Sequence, residues 1–359
     1  MYPSAARISF VLVFLLLLPF TASAQTFTTF DVPAAGDGFV QGTLPQSLND
    51  VGQIAGSYKD ANDVNHGFLR QKDGTIVTFD APGAGAGANQ GTLPIAINRR
   101  GQIAGNILDS SGGVHGFFRK TTGTFLIFDV PGSTGTSVRA IGPIGQVAGV
   151  YRDSNKAVHG YLRTKSGDFL SVDVPSSTFT IPTAINAQGQ ITGFYSSNSQ
   201  SHGFLRNADG SWTLFDPQGS TGTSPYAISS NGEIVGYFTD VNGSHAFLRK
   251  KNGTMTSFDA PGSAGTFAGS VNPTGQIAGS YDVASQSRTQ MGDPRDLGIC
   301  FTFGPPVSAF LRAKDGTITS FNGPDSLLTG TAGLNRAGSI TGSYLDGNCT
   351  SHGYLREPQ

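Results

Sequence analysis

Three short motifs recur seven times in this chain of 359 residues, always in the same order, and no other feature constrains the fold as strongly. The first motif, Gly-x-(Ile/Val)-x-Gly, begins at Gly52, Gly101, Gly145, Gly189, Gly232, Gly275 and Gly338. The second, His-Gly-Phe-Leu-Arg with variants, begins at His66, His115, His159, His202, His245, Ser308 and His352. The third, Phe-Asp-x-Pro with variants, has its acidic position at Asp31, Asp80, Asp129, Asp173, Asp216, Asp259 and Asn322. Units of 43 to 49 residues, with one of 63, indicate a repeat architecture.

Each unit contains four short segments with the composition of β-strands. In the first unit, strands a, b, c and d are predicted at residues 44–49, 53–58, 67–71 and 75–80. These segments are rich in aromatic and β-branched residues and are bounded by Gly, Asn and Asp. Asn-x-x-Gly sequences between a and b, and Asp-Gly or Asn-Gly between c and d, favour tight antiparallel turns. Units of this size with four strands resemble propeller blades.

The two ends of the repeat array are complementary. The array begins with a lone d strand at residues 26–31 and ends on a lone c strand at residues 353–356. The sequence therefore predicts an all-β, seven-bladed β-propeller of four-stranded antiparallel blades, closed by the N-terminal strand joining the last blade. A β-solenoid is the alternative, but it does not need complementary ends.

The repeat resembles that of the bacterial secreted H-A-F repeat proteins. The shared pattern is Gly-Gln-Ile-x-Gly, His-(Ala/Gly)-Phe-Leu-Arg, Asp-Gly-Thr, Phe-Asp-x-Pro-Gly and Ile-Asn-x-x-Gly-Gln-Ile. The alanine itself occurs in His245-Ala246-Phe247, whereas most copies carry glycine or a close variant. The resemblance implies secretion and a repeat fold, and it brings no catalytic or binding residues with it.

The N-terminal segment has the features of a secretory signal peptide. Arg7 precedes an apolar run at residues 8–20, and Ala22-Ser23-Ala24 supplies a small-residue cleavage site. The run is too short for a membrane anchor. We therefore expect residues 1–24 to be removed, residues 25–359 to form one propeller domain, and the protein to be secreted or periplasmic.

Charge argues against some classes of partner. The chain has 23 Lys and Arg against 24 Asp and Glu, which gives a net charge of −1. This balance supplies no basic surface for nucleic acid or an anionic membrane. We expect no nucleic-acid partner, no membrane span and a monomer.

All six histidines occupy one position of the repeat, 14 residues before the acidic position. Around a turn centred on residues 73 and 74, this spacing places His66 opposite Asp80 across two strands. The unit with Ser308 in place of histidine also has Asn322 in place of aspartate. We interpret these residues as structural pairs: His66–Asp80, His115–Asp129, His159–Asp173, His202–Asp216, His245–Asp259 and His352–Asp31.

The connections differ in length at the two ends of the predicted propeller. The a–b and c–d turns have constant spacing, whereas the d–a and b–c loops vary. The d–a loops at residues 33–43 and 82–92 are extended, and a b–c insertion covers residues 281–307. Variable loops on a fixed scaffold favour a binding site at that end, although they are also tolerated surface insertions. Candidate binding residues are Asp37, Arg288, Met291, Asp293, Arg295, Asp296, Phe301 and Phe303.

Two cysteines, Cys300 and Cys349, lie in the b–c loops of neighbouring units. In an exported protein this arrangement favours a disulfide. Aspartates recur in the b–c turns of five units, but none of these turns has the alternating acidic loop that calcium requires. The sequence therefore predicts no metal and no cofactor.

The favoured function is a non-catalytic binding propeller for a glycan or an extracellular protein, recognised at the d–a and b–c loops. The alternative is a secreted polysaccharide hydrolase or lyase at the same face. A purely structural role in an envelope or matrix is a third interpretation. The enzyme would need acids outside the repeat positions, where histidine is absent and the glutamates are few. Those acids are Asp37, Asp63, Asp293, Asp296 and Asp325.

Overall fold

The structure, a computed structural model, describes residues 26–284 and 307–358. All regular elements in these two stretches are β-strands, as the sequence predicts. The strands are β1 (Phe27–Phe30), β2 (Gly42–Leu48), β3 (Ile54–Lys59), β4 (Asn65–Arg70), β5 (Ile76–Phe79), β6 (Gly91–Ile97), β7 (Ile103–Leu108), β8 (Val114–Arg119), β9 (Phe125–Phe128), β10 (Gly135–Ile141), β11 (Val147–Arg152), β12 (Val158–Arg163), β13 (Phe169–Ser171), β14 (Phe179–Ile185), β15 (Ile191–Ser197), β16 (Gln200–Arg206), β17 (Trp212–Phe215), β18 (Gly222–Ile228), β19 (Ile234–Asp240), β20 (Gly243–Arg249), β21 (Met255–Phe258), β22 (Ser263–Val271), β23 (Ile277–Val283), β24 (Val307–Arg312), β25 (Ile318–Phe321), β26 (Leu328–Leu334), β27 (Ile340–Leu345) and β28 (Ser351–Arg356).

Antiparallel pairing joins consecutive strands into sets of four. The first set runs β2, β3, β4, β5, and later sets repeat this order. At the end of the chain β26, β27 and β28 pair in sequence, and the fourth strand of that set is β1. Phe30 is opposite Gly353 in this pairing, so the described chain begins and finishes in one sheet.

The first strand of each set lies beside the first strand of the next. These contacts run β2, β6, β10, β14, β18, β22, β26, and β26 contacts β2 again. The fourth strands pair only with the third strand of their own set, as β5 does with β4. First strands therefore form an inner circle, and fourth strands lie at the outer edge of each set.

The second glycine of Gly-x-(Ile/Val)-x-Gly is required by close packing. A Cβ atom on Gly56 would lie 2.3 Å from the Leu44 carbonyl oxygen and 2.8 Å from the ring of Phe68. Phe68 is fully buried, and so are the aromatic residues at the same position of the other units. The glycine thus lets an aromatic ring of strand c lie flat across strand b, and this packing forms the core of each set.

Arginines that end the c strands hold neighbouring sets together. Arg70 lies 4.8 Å from the ring centroid of Phe30, and Arg119 lies 4.6 Å from that of Phe79. In each case the ring belongs to the fourth strand of the preceding set, and the guanidinium lies over its face, a favourable cation–π arrangement. Contacts of this kind recur at Arg163, Arg249, Arg312 and Arg356.

Every inner strand carries a β-bulge at the same repeat position. In β2, for example, the register shifts between Pro45 and Ser47, which leaves Gln46 unpaired. A bulge bends the strand and redirects the side chain of the extra residue. The seven bulged residues are Gln46, Ile95, Arg139, Thr183, Tyr226, Gly269 and Ala332.

Candidate functional site

The a–b turns form a uniform end of the molecule. The Asn49 side-chain oxygen accepts hydrogen bonds from the backbone N–H groups of Val51 and Gln53, which fixes the turn. Its side-chain nitrogen donates to the Asn98 carbonyl oxygen in the next unit at 3.0 Å. Equivalent bonds from Asn98, Asn186, Asn272 and Asn335 reach the next turn in the same way. This end is therefore a network of buried amides that joins neighbouring units.

The structure brings together each of the six histidine–aspartate pairs expected from the sequence. The histidine Nδ1 atom lies 2.9 Å from Asp80 at His66, 2.8 Å from Asp129 at His115, 3.0 Å from Asp173 at His159, 2.7 Å from Asp216 at His202, 2.8 Å from Asp259 at His245, and 2.9 Å from Asp31 at His352. The last pair joins residues 321 positions apart in the sequence.

A second carboxylate approaches the opposite ring nitrogen in five of these units, a feature that sequence reasoning missed. The His115 Nε2 atom lies 3.2 Å from Asp109, and that of His245 lies 3.3 Å from Asp240. The remaining contacts are His66–Asp60, His159–Asp153 and His352–Asp346, at 3.5 to 3.7 Å. The second carboxylates come from the b–c turns. The recurrence of aspartate in those turns was the available sequence signal.

Each turn aspartate also organises its own loop. One oxygen of Asp109 accepts hydrogen bonds from the backbone N–H groups of Ser111 and Gly113, while the other faces His115. Hydrogen bonds from Ser111, Gly113 and His115 hold the pKa of Asp109 well below its usual range. The carboxylate is therefore ionised and already saturated with donors.

The flanking carboxylates raise the pKa of His115 and of His245 and so favour their imidazolium forms. The hydrogen bond to Asp259 raises the pKa of His245, and Asp240 acts in the same direction. The pKa of His115 is raised by Asp129, with a further contribution from Asp109. A histidine between two ionised carboxylates is a poor general base, since it holds its proton more tightly than a free imidazole.

At the other end, the extended d–a loops join the b–c loops through hydrogen bonds. The Val40 N–H donates to the Cys349 carbonyl oxygen at 3.0 Å, and Gln41 donates to Asp63 at 3.2 Å. The Asn89 N–H then donates to the Asp63 carbonyl oxygen at 2.7 Å. One chain of bonds thus connects the last b–c loop, the loop at 33–43, the first b–c loop and the loop at 82–92.

This linked surface, which we term the loop arc, contains several of the candidate residues. Asp37 is exposed and anchored through its carbonyl oxygen, which accepts the Thr350 hydroxyl at 2.8 Å. Phe39 is 43% exposed, which is unusual for an aromatic side chain in a loop held on both sides. Asp63 belongs to the arc through Gln41, whereas Asp325 is exposed in the d–a loop before β26.

The remaining candidates lie outside the described residues. These are Arg288, Met291, Asp293, Arg295, Asp296, Phe301, Phe303 and Cys300. Cys349, by contrast, is described: it is 4% exposed, and no cysteine in the described part of the chain is a free thiol. In those same residues we find no helix long and apolar enough to cross a membrane.

Comparison with solved structures shows that the chain has a β-propeller fold. The selenomethionine-substituted virginiamycin B lyase from Staphylococcus aureus is 12% identical, with a TM-score of 0.57 over 93% of this chain and 100% of that chain. A streptogramin B lyase is 13% identical, with a TM-score of 0.56 over 92% of this chain and 98% of that chain. The β-propeller domain of the Trilobed protease from Pyrococcus furiosus is 10% identical, with a TM-score of 0.60 over 88% and 96%.

No protein-family model and no curated protein matches the chain. The resemblance to H-A-F repeat proteins therefore stays a prediction. At identities this low, the structural likeness concerns the fold alone.

Proposed function

We propose that residues 25–359 form one exported, seven-bladed β-propeller, that residues 1–24 are its cleaved signal peptide, and that the sixth blade carries an insertion. The predicted bounds of this insertion, 281–307, are too wide, because β23 runs to Val283 and β24 begins at Val307. The four-strand sets, the circle of first strands and the β1–β28 pairing support this organisation. Amino-terminal sequencing of the protein recovered from the native host tests the cleavage. A first residue of Gln25 is expected, and retention of Met1 would exclude it.

We propose further that the protein is a non-catalytic binding protein whose ligand, a glycan or an extracellular protein, contacts the loop arc. The observation that carries this proposal is the hydrogen-bond chain from Cys349 through Val40, Gln41 and Asp63 to Asn89. In the order of the sets, the insertion between β23 and β24 immediately precedes the last unit. All three departures from the repeat therefore occupy neighbouring positions around the ring, rather than being scattered.

A binding surface needs side chains that are exposed yet held in place, because ordering them on binding costs free energy. The loop arc offers this combination: Phe39 and Asp37 are exposed, while the backbone on either side is bonded to neighbouring loops. The six His–Asp pairs do not favour catalysis at this end, since the Nδ1 atom of each histidine is already bonded to an aspartate of the repeat.

We propose that Cys300 and Cys349 form a disulfide that ties the insertion to the last b–c loop. The buried, non-free state of Cys349 supports this pairing. Closing a loop of about 49 residues stabilises a protein by roughly 4 kcal/mol in the chain-entropy model, less any strain. Thiol quantification on the unfolded, unreduced protein should detect no free thiol, and two titratable thiols would contradict the bridge.

The binding function is tested by screening the mature protein on a glycan array and against extracellular proteins of its native environment. One variant replaces residues 285–306 with the two-residue Val-Asn turn that joins β19 to β20 at Val241 and Asn242, and a second carries Phe39→Ala and Asp37→Ala. Specific binding that both variants lose supports the proposal. Lys72→Ala, a change at the uniform end, serves as the control, and thermal melting verifies that each variant is folded.

The alternative, a polysaccharide hydrolase or lyase at the same face, predicts a different result. Incubation with polysaccharides would yield new reducing ends or unsaturated products, and Asp293→Asn or Asp296→Asn would abolish them. Turnover of this kind would overturn the binding proposal, whereas binding without turnover would exclude the enzyme.

A further inference from the structure

The bulged position of the inner strands is a position at which the residue type is not conserved between the seven repeat units. The neighbouring residues follow the consensus, such as the buried threonine near the start of strand a in every unit. The bulged residue, in contrast, differs in all seven units and ranges from glycine to arginine and tyrosine. Because these residues lie on adjacent inner strands, they surround the axis of the circle at one level.

In three consecutive units the bulged residue carries a polar group, and these three inner strands are neighbours in the circle. Arg139 is exposed, and Tyr226 is 48% exposed although both belong to innermost strands. Thr183, between them on β14, donates its hydroxyl to the Pro225 carbonyl oxygen at 3.0 Å, which joins β14 to β18, the strand that carries Tyr226. Arginine and tyrosine are thus exposed toward the axis from a rigid support.

The two larger side chains lie on inner strands, β10 and β18, that are separated by one strand, β14, which contacts both of them. Burial and the neighbouring Tyr237 raise the pKa of the Tyr226 phenol, and the charge of Arg139 acts against them. Tyr226 and Tyr237 have ring centroids 5.9 Å apart, and Tyr237 meets Phe267 edge-on at 5.0 Å. These three aromatic rings form a wall two inner strands away from Arg139, a guanidinium that makes no ion pair with the described residues.

The following two units leave room beside this wall. A Cβ atom on Gly269 would lie no closer than 3.9 Å to any neighbour, and one on Gly330 would meet nothing within 4 Å. Neither glycine has a positive φ, so the backbone does not require glycine at either place. Ala332 is the bulged residue of the last unit and is also small. Larger side chains would fit at these positions without a clash, so the small residues leave a space open that the packing does not require.

We propose that this axial space binds an organic acid in which a carboxylate is carried on a ring. The carboxylate would pair with the Arg139 guanidinium, whose planar fork matches it with two parallel hydrogen bonds. The ring would lie against Tyr226 in the space beside Gly269, with one face on the aromatic wall. Both sugar acids and aromatic acids have this chemistry. The proposal needs the circle of inner strands but not the loop arc.

Isothermal titration of the mature protein with two pairs of probes tests the proposal: glucuronate against glucose, and benzoate against benzyl alcohol. Each acid differs from its neutral counterpart mainly in the carboxylate, and the two arms distinguish a sugar acid from an aromatic one. We expect one acid to bind and its neutral counterpart to bind at least about tenfold more weakly, since a charged hydrogen-bonded pair is lost. Equal binding of acid and neutral probe, or no binding of either acid, would overturn the proposal.

Variants assign the binding to this space. Arg139→Ala should weaken binding of the acid by about tenfold or more, and Gly269→Trp should abolish it by filling the space. Arg100→Ala removes an exposed arginine from an a–b turn and should leave binding unchanged. Should Gly269→Trp fail to fold, Tyr226→Ala replaces it, with the loss of the stacking face as the expected effect. Unchanged affinity in Arg139→Ala, or in the folded space-filling variant, contradicts the assignment.

The loop-replacement variant separates this proposal from the proposed function. It should retain acid binding at the axis even though it loses the ligand of the loop arc. Loss of acid binding in that variant, with Arg139 intact, would show that the acid binds at the loops and would refute the axial site.

Discussion

Two sets of residues each recur at a fixed position of the repeat, but one set is nearly the same in six of the seven units and the other differs in every unit. The His–Asp pairs near the b–c turns recur in six units with each histidine paired across the same two strands, and a second aspartate joins the pair in five of them. The bulged residues of the inner strands are different in every unit. Identity at a position is what the common packing of a repeat demands. The same bulge forms in every inner strand although the bulged residue varies, which indicates that the backbone geometry does not depend on the side chain at that position.

The largest difference between the uniform and variable positions should appear on truncating core side chains. Phe117 is fully buried against Gly105, so Phe117→Ala should lower the free energy of unfolding by about 3–5 kcal/mol. Ile95→Ala, at the half-buried bulged position of the same set, should cost no more than about 1 kcal/mol. Urea unfolding measures both. Equal losses would contradict the distinction between the two kinds of position.

A smaller effect is expected at the a–b turns. Asn98→Ala removes two acceptor contacts within the turn and the donor to the Gly142 carbonyl oxygen, which should cost about 2–3 kcal/mol. Asn98→Ser is the matched control, because Ser229 occupies this position in another unit and its hydroxyl accepts the same turn N–H groups. The serine variant should therefore lose less, and its urea midpoint should lie between those of wild type and Asn98→Ala.

The His–Asp clusters predict a characteristic dependence of stability on pH. The pKa of His245 is raised by Asp259, so its contribution is fully present below about pH 6.5 and is lost as the pH rises through the folded-state value. The pKa of Asp240 is lowered, first by the Asn242 N–H, so its contribution is present above about pH 4 and is lost as the pH falls. Stability should therefore be greatest between these limits.

Thermal melting of wild type and His245→Gln from pH 4 to pH 9 measures this dependence. The variant should be less stable by about 1 kcal/mol near pH 6, with a smaller deficit at pH 9. A deficit that does not change with pH would mean that the histidine contributes by packing on Phe238 rather than by its charge.

The smallest effect on stability should come from the axis. Arg139→Ala removes an exposed side chain at a bulge and should change the free energy of unfolding by no more than about 0.5 kcal/mol. Tyr226→Ala also loses a ring contact with Tyr237 and should cost no more than about 1 kcal/mol. Losses of several kcal/mol in urea unfolding would place these residues among the structural positions and weaken the argument for a ligand there.

The repeat motifs predicted much of this fold because they encode local geometry. The 14-residue spacing predicted that His66 meets Asp80, since register in an antiparallel hairpin follows from the turn. Predicted strand limits were off by one or two residues: strand a begins at Gly42 rather than at residue 44. That difference arises because Gly42 and Thr43 continue the pairing with β3, and Gly42 also pairs with Ser351, more than 300 residues away.

Contacts between units were the part that the sequence did not predict. The bulge in β2 follows from its pairing with β3 and from its place in the inner circle. The residue at this position, Gln46, gives no sequence signal for a bulge. The stacking of Arg70 on Phe30 likewise requires two units to be neighbours in space. The axial space lies between strands of different units, so its residues gave no motif in any one of them.

The pairing of β1 with β28 has a consequence for how the protein is made. β1 is synthesised first, yet its partner appears only after more than 300 further residues have been added. Until then both β1 and the open side of the last set expose unpaired backbone groups, which are prone to pair with other chains. A newly made molecule is therefore most vulnerable to aggregation in the interval before its final strand emerges. Shielding of β1 during that interval should raise the yield of folded protein.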